Sequence, residues 1–184
     1  MDKIHPDFII VRNLIYNSPE LQCSGLMVEK EGREYGACTF KLNSMSVRFR
    51  VAKITPIKIG QFVTLWKRAK NGAIQPYDIT DEVDLFIISV RKDNQFGQFI
   101  FPKSILLQQK IIATNRQRGK LAIRVYPPWD IAISGQAKKT QSWQSQYFLE
   151  LSSDKSIDYV RMNMLYLNFS SAGSITLSLN SLIS

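Results

Sequence analysis

Apolar residues change their spacing several times along the chain, and each change marks a predicted element. Residues 6–17 begin with Pro6 and Asp7, which suit the first turn of a helix, and their apolar positions can share one face. This pattern predicts a helix over 6–17. The polar residues 18–32 that follow are interpreted as a connection.

Short apolar runs predict a series of β-strands after this connection. The predicted strands are Tyr35–Asn43, Val47–Thr55, Phe62–Arg68, Leu85–Val90, Phe99–Phe101 and Leu121–Tyr126. Turn-forming residues such as Asn71-Gly72 separate several of them. In the strand from Val47 a period of two places Arg48 and Arg50 on one side, which we expect to face solvent.

Two segments in the second half have helical spacing, Ser104–Ile112 and Gln136–Leu151. The order of helix, strands, helix, strand and helix predicts an α/β (α+β) fold, with a central mixed sheet flanked by helices. We assign residues 1–169 to this single domain. Residues 170–184 are Ser-rich and uncharged, and are interpreted as either a disordered tail or a non-native extension.

Composition narrows the class of protein. Hydrophobic residues make up 45% of the 184 residues and charged residues 21%, values typical of a globular domain. No apolar run reaches the roughly 18 residues that a membrane helix needs, and the N-terminus lacks signal-peptide features. We therefore expect a cytoplasmic protein without a membrane partner. Cys23, Cys38 and His5 lack the spacing of a metal site, so no metal, cofactor or small-molecule ligand is expected.

Charge is concentrated in the middle of the chain. The formal net charge is +9, yet residues 1–40 hold four lysines and arginines against six acidic residues. Residues 41–140 hold eighteen basic residues against six acidic ones, and residues 41–70 hold eight and none. Such segregation predicts a basic field that attracts polyanions, although a solvated face is the simpler alternative.

Two groups of basic residues are candidates for phosphate contact. The first, the basic strip, consists of Arg48, Arg50, Lys53, Lys58, Lys67 and Arg68. Lys53 has an alternative inward orientation, in which it would need a carboxylate partner. The second group consists of Lys120, Arg124, Lys138 and Lys139.

Aromatic residues lie among the second basic group, an arrangement suited to stacking of unpaired bases. Trp129 follows two prolines and is expected to be the exposed ring, with packing against the last helix as the alternative. We expect Trp143 to pack in the core. Nucleic acid, with a preference for single strands, is therefore the predicted partner.

Several segments together resemble the MepB-like family. They are RVAKITPIKIG (50–60), FVTLWKR (62–68), GQFIFP (97–102), GK (119–120), RVYPPWD (124–130) and KTQSWQ (139–144). The resemblance runs from about Tyr35 to about Phe148. It implies a core like that of the restriction endonucleases and other PD-(D/E)XK nucleases, together with nucleic-acid binding. It also implies a gene that, in some bacteria, lies beside a multidrug efflux pump.

The acidic residues do not follow the pattern of a metal-dependent nuclease. Such an enzyme needs one acidic residue at a strand start, and on the next strand an acid with a lysine two residues later. Asp84 suits the first position, but the second falls on Gln98-Phe99-Ile100; the nearest variant, Glu31-Gly32-Arg33, lies far upstream. We therefore predict a non-catalytic nucleic-acid-binding protein.

Two other functions remain open. One is a metal-dependent nuclease with a rearranged acidic set drawn from Glu29, Glu31, Glu34 and Asp84. The other is a protein-binding module whose basic face meets an acidic partner.

Overall fold

The structure is a computed structural model that describes residues 3–167. In this part of the chain the α-helices are α1 (Pro6–Val11), α2 (Lys103–Gln108), α3 (Gly135–Ser145) and α4 (Tyr159–Tyr166). The β-strands are β1 (Cys23–Val28), β2 (Cys38–Leu42), β3 (Met45–Val51), β4 (Lys53–Ile54), β5 (Gln61–Thr64), β6 (Trp66–Arg68), β7 (Ile74–Pro76), β8 (Leu85–Lys92), β9 (Gln95–Pro102), β10 (Ala122–Val125) and β11 (Phe148–Glu150). A π-helical turn, Arg12–Tyr16, continues α1, so the helix predicted over 6–17 is confirmed. The tail predicted for 170–184 lies outside the described residues.

A six-stranded sheet forms the centre of the molecule, in the order β1-β2-β3-β8-β9-β11. β3 and β8 are parallel, and the other neighbours are antiparallel. The α+β class with a mixed central sheet is therefore confirmed. Beside this sheet lie a three-stranded sheet, β10-β5-β4, and the two-stranded hairpin β6-β7.

Both faces of the central sheet are covered. Alternation along β8 sends Leu85 and Ile87 to a core shared with α1, the π-helical turn and α4. Phe86 and Ile88 point to a second core, shared with α2 and the three-stranded sheet. Burying one such side chain stabilises the fold by about 1.5–3 kcal/mol. No helix within residues 3–167 has both the length and the apolar character needed to cross a bilayer.

A buried polar network ties the terminal helices to β9. The hydroxyl groups of Tyr16 and Tyr166 lie 2.9 and 3.0 Å from Gln98 Oε1, to which each donates. Gln98 Nε2 donates to Ser89 Oγ at 2.9 Å. Burial raises the pKa of both tyrosines, so both remain protonated donors at neutral pH. Gln98 is thus a structural residue of the core.

Two of the strands predicted for a nuclease-like order, Phe62–Arg68 and Leu121–Tyr126, lie outside the central sheet. Residues Gln61–Thr64 pair with β4 and β10, and Trp66–Arg68 with β7. The predicted strand 121–126 is β10 of the same three-stranded sheet. The predicted helix Gln136–Leu151 ends at Ser145, because the next residues pair with β9 as β11.

Candidate functional site

Most of the basic strip is engaged in ion pairs. Of its six residues, all except Lys58 have a carboxylate partner within residues 3–167. The pairs are Arg48–Glu29 (3.5 Å), Arg50–Glu29 (2.6 Å), Lys53–Glu34 (2.7 Å), Lys67–Asp78 (2.7 Å), Lys67–Asp81 (2.5 Å) and Arg68–Glu31 (2.7 Å). The strip is therefore not the continuous free phosphate-binding surface that the sequence predicts.

Arg50 shows most clearly why the prediction of an open basic face is wrong. The period of two does place Arg48 and Arg50 on one face of β3, but Arg50 is only 4% exposed. Its guanidinium donates to Glu29 at 2.6 Å and to the Phe49 carbonyl oxygen at 2.8 Å. The face of β3 that carries Arg50 is covered, because Glu29 and the Tyr77 hydroxyl lie against its guanidinium.

Lys67 is held by two carboxylates of the loop that follows β7. Burial lowers the pKa of Lys67, but hydrogen bonds to Asp78 and Asp81 more than offset this effect and raise it. The same contact, with help from Thr80, lowers the pKa of Asp78 to about 2. The positive charge of Lys67 is therefore paired with carboxylates of the protein itself. The pKa of Glu31 is likewise lowered by its hydrogen bonds with Arg68.

Lys58 instead lies at a groove between the three-stranded sheet and α3. The groove has a volume of about 490 Å³, and three cationic residues line it: Lys58, Lys120 and Arg124. No aspartate or glutamate is among its described lining residues, and none of the three cations forms an ion pair within residues 3–167. We call this feature the basic groove. Its positive charge is not balanced locally, so it attracts anions.

Arg124 holds the loop that carries Lys58. From β10 it donates to the carbonyl oxygens of Lys58 (3.2 Å) and Gly60 (2.9 Å) and to Thr55 Oγ1 (2.8 Å). These acceptors carry no net charge, so the positive charge of Arg124 stays in the groove. Arg124 therefore both positions the loop and contributes to the field.

Gly60 allows this loop to approach β10 closely. Its φ is +81°, and a Cβ atom there would lie 2.7 Å from Tyr126 Cε1 and 2.9 Å from the Val125 carbonyl oxygen. Only glycine combines a left-handed conformation with so close a contact. Tyr126 itself lines the groove. The position of Lys58 thus depends on Gly60.

One face of α3 forms the opposite wall of the groove. Ser134 begins the helix by accepting a hydrogen bond from the Ala137 amide at 3.1 Å. The lining residues Gln136, Thr140 and Gln144 are spaced by four along the helix. Gln144 is structural, since its Oε1 accepts from the Tyr126 amide (2.8 Å) and its Nε2 donates to the Arg124 carbonyl oxygen (3.0 Å).

Lys138 and Lys139 are both exposed on α3, but they occupy different positions around the helix. Lys139 is three residues after Gln136, so it flanks the groove-facing side. Lys138 is two residues after Gln136, on the side away from the groove. The structure therefore brings Lys58, Lys120 and Arg124 together, adds Lys139 at the margin, and separates Lys138 from them.

The Trp129 ring packs against neighbouring side chains, whereas its sequence context predicts an exposed ring. Its ring contacts Phe148 edge-to-face, with centroids 5.4 Å apart, and packs against the second core. The expectation of a freely exposed ring is wrong, because the ring lies against Phe148 of β11 and its Nε1 atom is buried. Trp143, predicted in the core, packs against Phe101 with ring centroids 5.2 Å apart, and part of it lines the basic groove.

The acidic residues considered for a rearranged nuclease site have separate partners. Glu29, Glu31 and Glu34 form the ion pairs given above, and Asp84 Oδ2 accepts a hydrogen bond from the Ser46 amide at 2.7 Å. Within residues 3–167, no three His, Cys, Asp or Glu side chains are grouped so that they could hold a metal ion. These four carboxylates therefore serve as ion-pair partners or as an acceptor for a backbone amide.

Sequence reasoning missed the polar and aromatic residues of the groove wall. Phe62, Gln109, Gln136 and Thr140 line the groove together with the predicted cations. The four-residue spacing of Gln136, Thr140 and Gln144 is a usable signal for one wall. The other wall requires the pairing of β5 with β10, which spans about sixty residues of sequence.

Comparison with known proteins gives consistent results for the fold. The family model described as MepB-like matches residues 29–150. A solved structure, the crystal structure of MepB, superimposes with a TM-score of 0.70 and is 34% identical in sequence. The match covers 83% of this chain and 99% of that one. No curated protein matches the chain.

Proposed function

The chain belongs to the MepB-like family, and we propose that its function is to bind nucleic acid, DNA or RNA, through the basic groove without catalysing a reaction on it. One observation carries the proposal: three cations line a groove whose described lining residues include no carboxylate. Phosphate oxygens bind directly to lysine and arginine side chains, and their neutralisation supplies most of the affinity in such complexes. The proposed location is the cytoplasm, where nucleic acid is accessible to the protein.

The lining of the groove favours single strands over duplexes. Phe62, Tyr126 and Trp143 line the same groove as Lys58 and Lys120. A cationic groove with aromatic side chains suits unpaired bases, whose faces are free to stack. Paired bases keep their faces inside the helix, so they gain less from these rings.

Charge reversal in the groove tests the proposal. We expect Lys58→Glu with Lys120→Glu to weaken binding of a single-stranded oligonucleotide at least tenfold in fluorescence anisotropy titrations. The salt dependence should also become less steep, by about 0.7 in the slope of log K against log salt for each phosphate of a single strand that the variant no longer neutralises. Both side chains are exposed and unpaired within residues 3–167, so the fold should be retained.

A matched variant separates the groove from general charge. Lys41 and Lys70 are exposed lysines that do not line the groove, and Lys41→Glu with Lys70→Glu changes the net charge by the same amount. This control should retain most of the affinity. Equal losses in the two double variants would show that the net charge, not the groove, attracts the nucleic acid. If the wild-type protein binds neither DNA nor RNA at low salt, the proposed function is wrong.

A further inference from the structure

Two adjacent loops beside the basic groove expose an unusual number of isoleucines. Ile57 is 93% exposed, Ile131 81% and Ile133 73%. Ile54 and Ile59, also exposed, complete the set, and we call these five residues the isoleucine rim. Single exposed apolar residues are ordinary, but a group this dense marks an interaction surface.

Three residues of the isoleucine rim line a small hollow that adjoins the groove. Ile54, Ile59 and Ile131 line it together with Trp129, and its volume is about 260 Å³. Ligand sites for drug-sized molecules occupy roughly 300–1,000 Å³, so this hollow suits a single flat heterocycle. Its apolar wall and indole ring match the faces of a nucleobase.

Lys58 connects the hollow to the groove. It lines both cavities, while Ile133 directly precedes Ser134 of the groove wall. Lys92 also lines the hollow and lies 3.3 Å from Asp130, the one carboxylate among the described lining residues. That carboxylate is only 8% exposed and is neutralised by Lys92, so a phosphate strand along Lys58 meets net positive charge.

We propose that the hollow receives one unpaired base while its phosphates lie in the basic groove, and that the isoleucine rim holds this base out of the stack. Apolar side chains take the same role where proteins insert them between base steps and unstack the bases. Extruding a base costs least where it is already unpaired. The preferred ligand class is therefore single-stranded nucleic acid, or a duplex that carries an unpaired base.

This inference rests on the proposed function, because the positive groove must first bind the strand. The rim then adds selectivity for unpaired bases, whereas the groove cations attract every strand through its phosphates. The two contributions therefore respond differently to ligand structure. That difference makes them separable by experiment.

The test uses the full chain with Ile54→Ser, Ile59→Ser and Ile131→Ser combined, the three isoleucines that line the hollow. All three side chains are among the exposed apolar residues of the protein, so the melting temperature should change little. Three ligands of equal length are compared at one salt concentration: an intact duplex, a duplex with one bulged 2-aminopurine, and a single strand containing 2-aminopurine. The matched control combines Ile74→Ser and Ile79→Ser, which are half-exposed and line neither cavity.

We expect the triple variant to lose at least tenfold in affinity for the single strand and the bulged duplex, and less than threefold for the intact duplex. The 2-aminopurine emission should change on binding to wild-type protein and not on binding to the triple variant. The control should bind all three ligands normally.

Other outcomes would overturn the inference in distinguishable ways. Equal losses on all ligands, or undiminished affinity, would remove the rim from base recognition while leaving the groove proposal intact. A triple variant that instead loses self-association in sedimentation, or loses binding to anionic lipid vesicles, would assign the rim to a second copy of the chain or to a membrane. A wild-type protein that binds no nucleic acid would end both proposals.

Discussion

Arg50 and Lys58 lie eight positions apart, in the same run of basic residues, yet their surroundings are opposite. Arg50 is buried against Glu29 in the central sheet, whereas Lys58 is exposed at the groove. A buried guanidinium is stabilised by its carboxylate and by oxygen acceptors, and it is not available to a ligand. An exposed, unpaired ammonium retains its charge for an external anion. Contribution to binding therefore depends on the partner of each cation more than on its position in the sequence.

The difference between buried and exposed cations predicts different losses of stability for two substitutions in the basic strip, Arg50→Ala and Lys53→Ala. Arg50→Ala leaves Glu29, whose side chain is only 23% exposed, without its closest partner. We expect a loss of about 2–3 kcal/mol in the free energy of unfolding, because the partly buried Glu29 carboxylate then keeps only its longer contact with Arg48, at 3.5 Å. Lys53→Ala, which breaks the exposed pair with Glu34, should cost less than about 1 kcal/mol. Urea denaturation measures both.

Neither substitution should lower the affinity for nucleic acid in the folded protein. If Arg50→Ala proves as stable as Lys53→Ala but binds nucleic acid poorly, then Arg50 contacts the ligand directly. A phosphate-binding role for the strip would then have more support than the ion-pair interpretation.

At the scale of elements, the loop between β4 and β5 contributes Lys58 to the lining of the groove. It carries Lys58, it is held by Arg124, and it approaches β10 through Gly60. This loop, residues 55–60, is therefore held in place by Arg124, which lies 64 positions after Gly60 in the sequence. Loops positioned by rigid strands in this way are common sites of binding.

Gly60→Ala tests whether the position of this loop matters. A left-handed backbone costs a non-glycine residue about 1–2 kcal/mol, and here the new Cβ would also collide with Tyr126. We expect at least about 2 kcal/mol of destabilisation and a clear loss of single-strand affinity. Gly72→Ala is a matched control, because its φ of +83° is equally left-handed but nothing lies within 4 Å of the new Cβ.

We expect Gly72→Ala to be destabilised only by its left-handed backbone conformation and to bind nucleic acid normally. Thermal melts and anisotropy titrations of the two variants separate conformational strain from displacement of the loop. Identical affinities for the two variants would show that the loop position is unimportant for binding.

Local patterns predict many of the elements but not their pairing. The apolar runs of β2, β3 and β8 are long and clear, and each is present in the structure, whereas the predicted run Phe99–Phe101 covers only part of β9. The pattern does not predict β1 because its sequence, CSGLMV, has no regular alternation, and it forms an irregular edge with β2. Nor does it predict β11, because Tyr147 and Leu151 continue the helical spacing of α3, and only contact with β9 ends that helix.

The sequence predicts that the candidate site is cationic, but it predicts less well which residues form the site. The basic residues of 41–140 include Lys58, Lys120 and Arg124, which line the groove. What the sequence does not show is that Glu29, Glu31 and Glu34 fold back onto the basic strip, because these acids belong to a different charge block. Ion pairs between distant segments depend on tertiary contacts, which periodicity does not reveal.

At the scale of the whole molecule, the distribution of charge is a result of folding. The acidic N-terminal segment neutralises one part of the basic block and leaves the part at the groove uncovered. The formal net charge of +9 is therefore distributed unevenly over the protein, and the positive field is concentrated at the groove. Such a field governs the response to salts and to divalent cations.

Magnesium should weaken binding and should not start cleavage. Divalent cations compete with the groove for phosphates, so affinity for a single strand should fall when Mg²⁺ or Mn²⁺ is added at constant ionic strength.

Cleavage by a metal-dependent nuclease requires carboxylates that converge on the ion, whereas Glu29, Glu31 and Glu34 pair with cations and Asp84 caps the Ser46 amide. Incubation of labelled DNA and RNA with the protein and each metal, followed by denaturing electrophoresis, should show intact strands. Asp84→Asn keeps an oxygen for the Ser46 amide, so this variant should bind like the wild type; metal-dependent cleavage by the wild type that Asp84→Asn abolishes would establish a rearranged nuclease site instead.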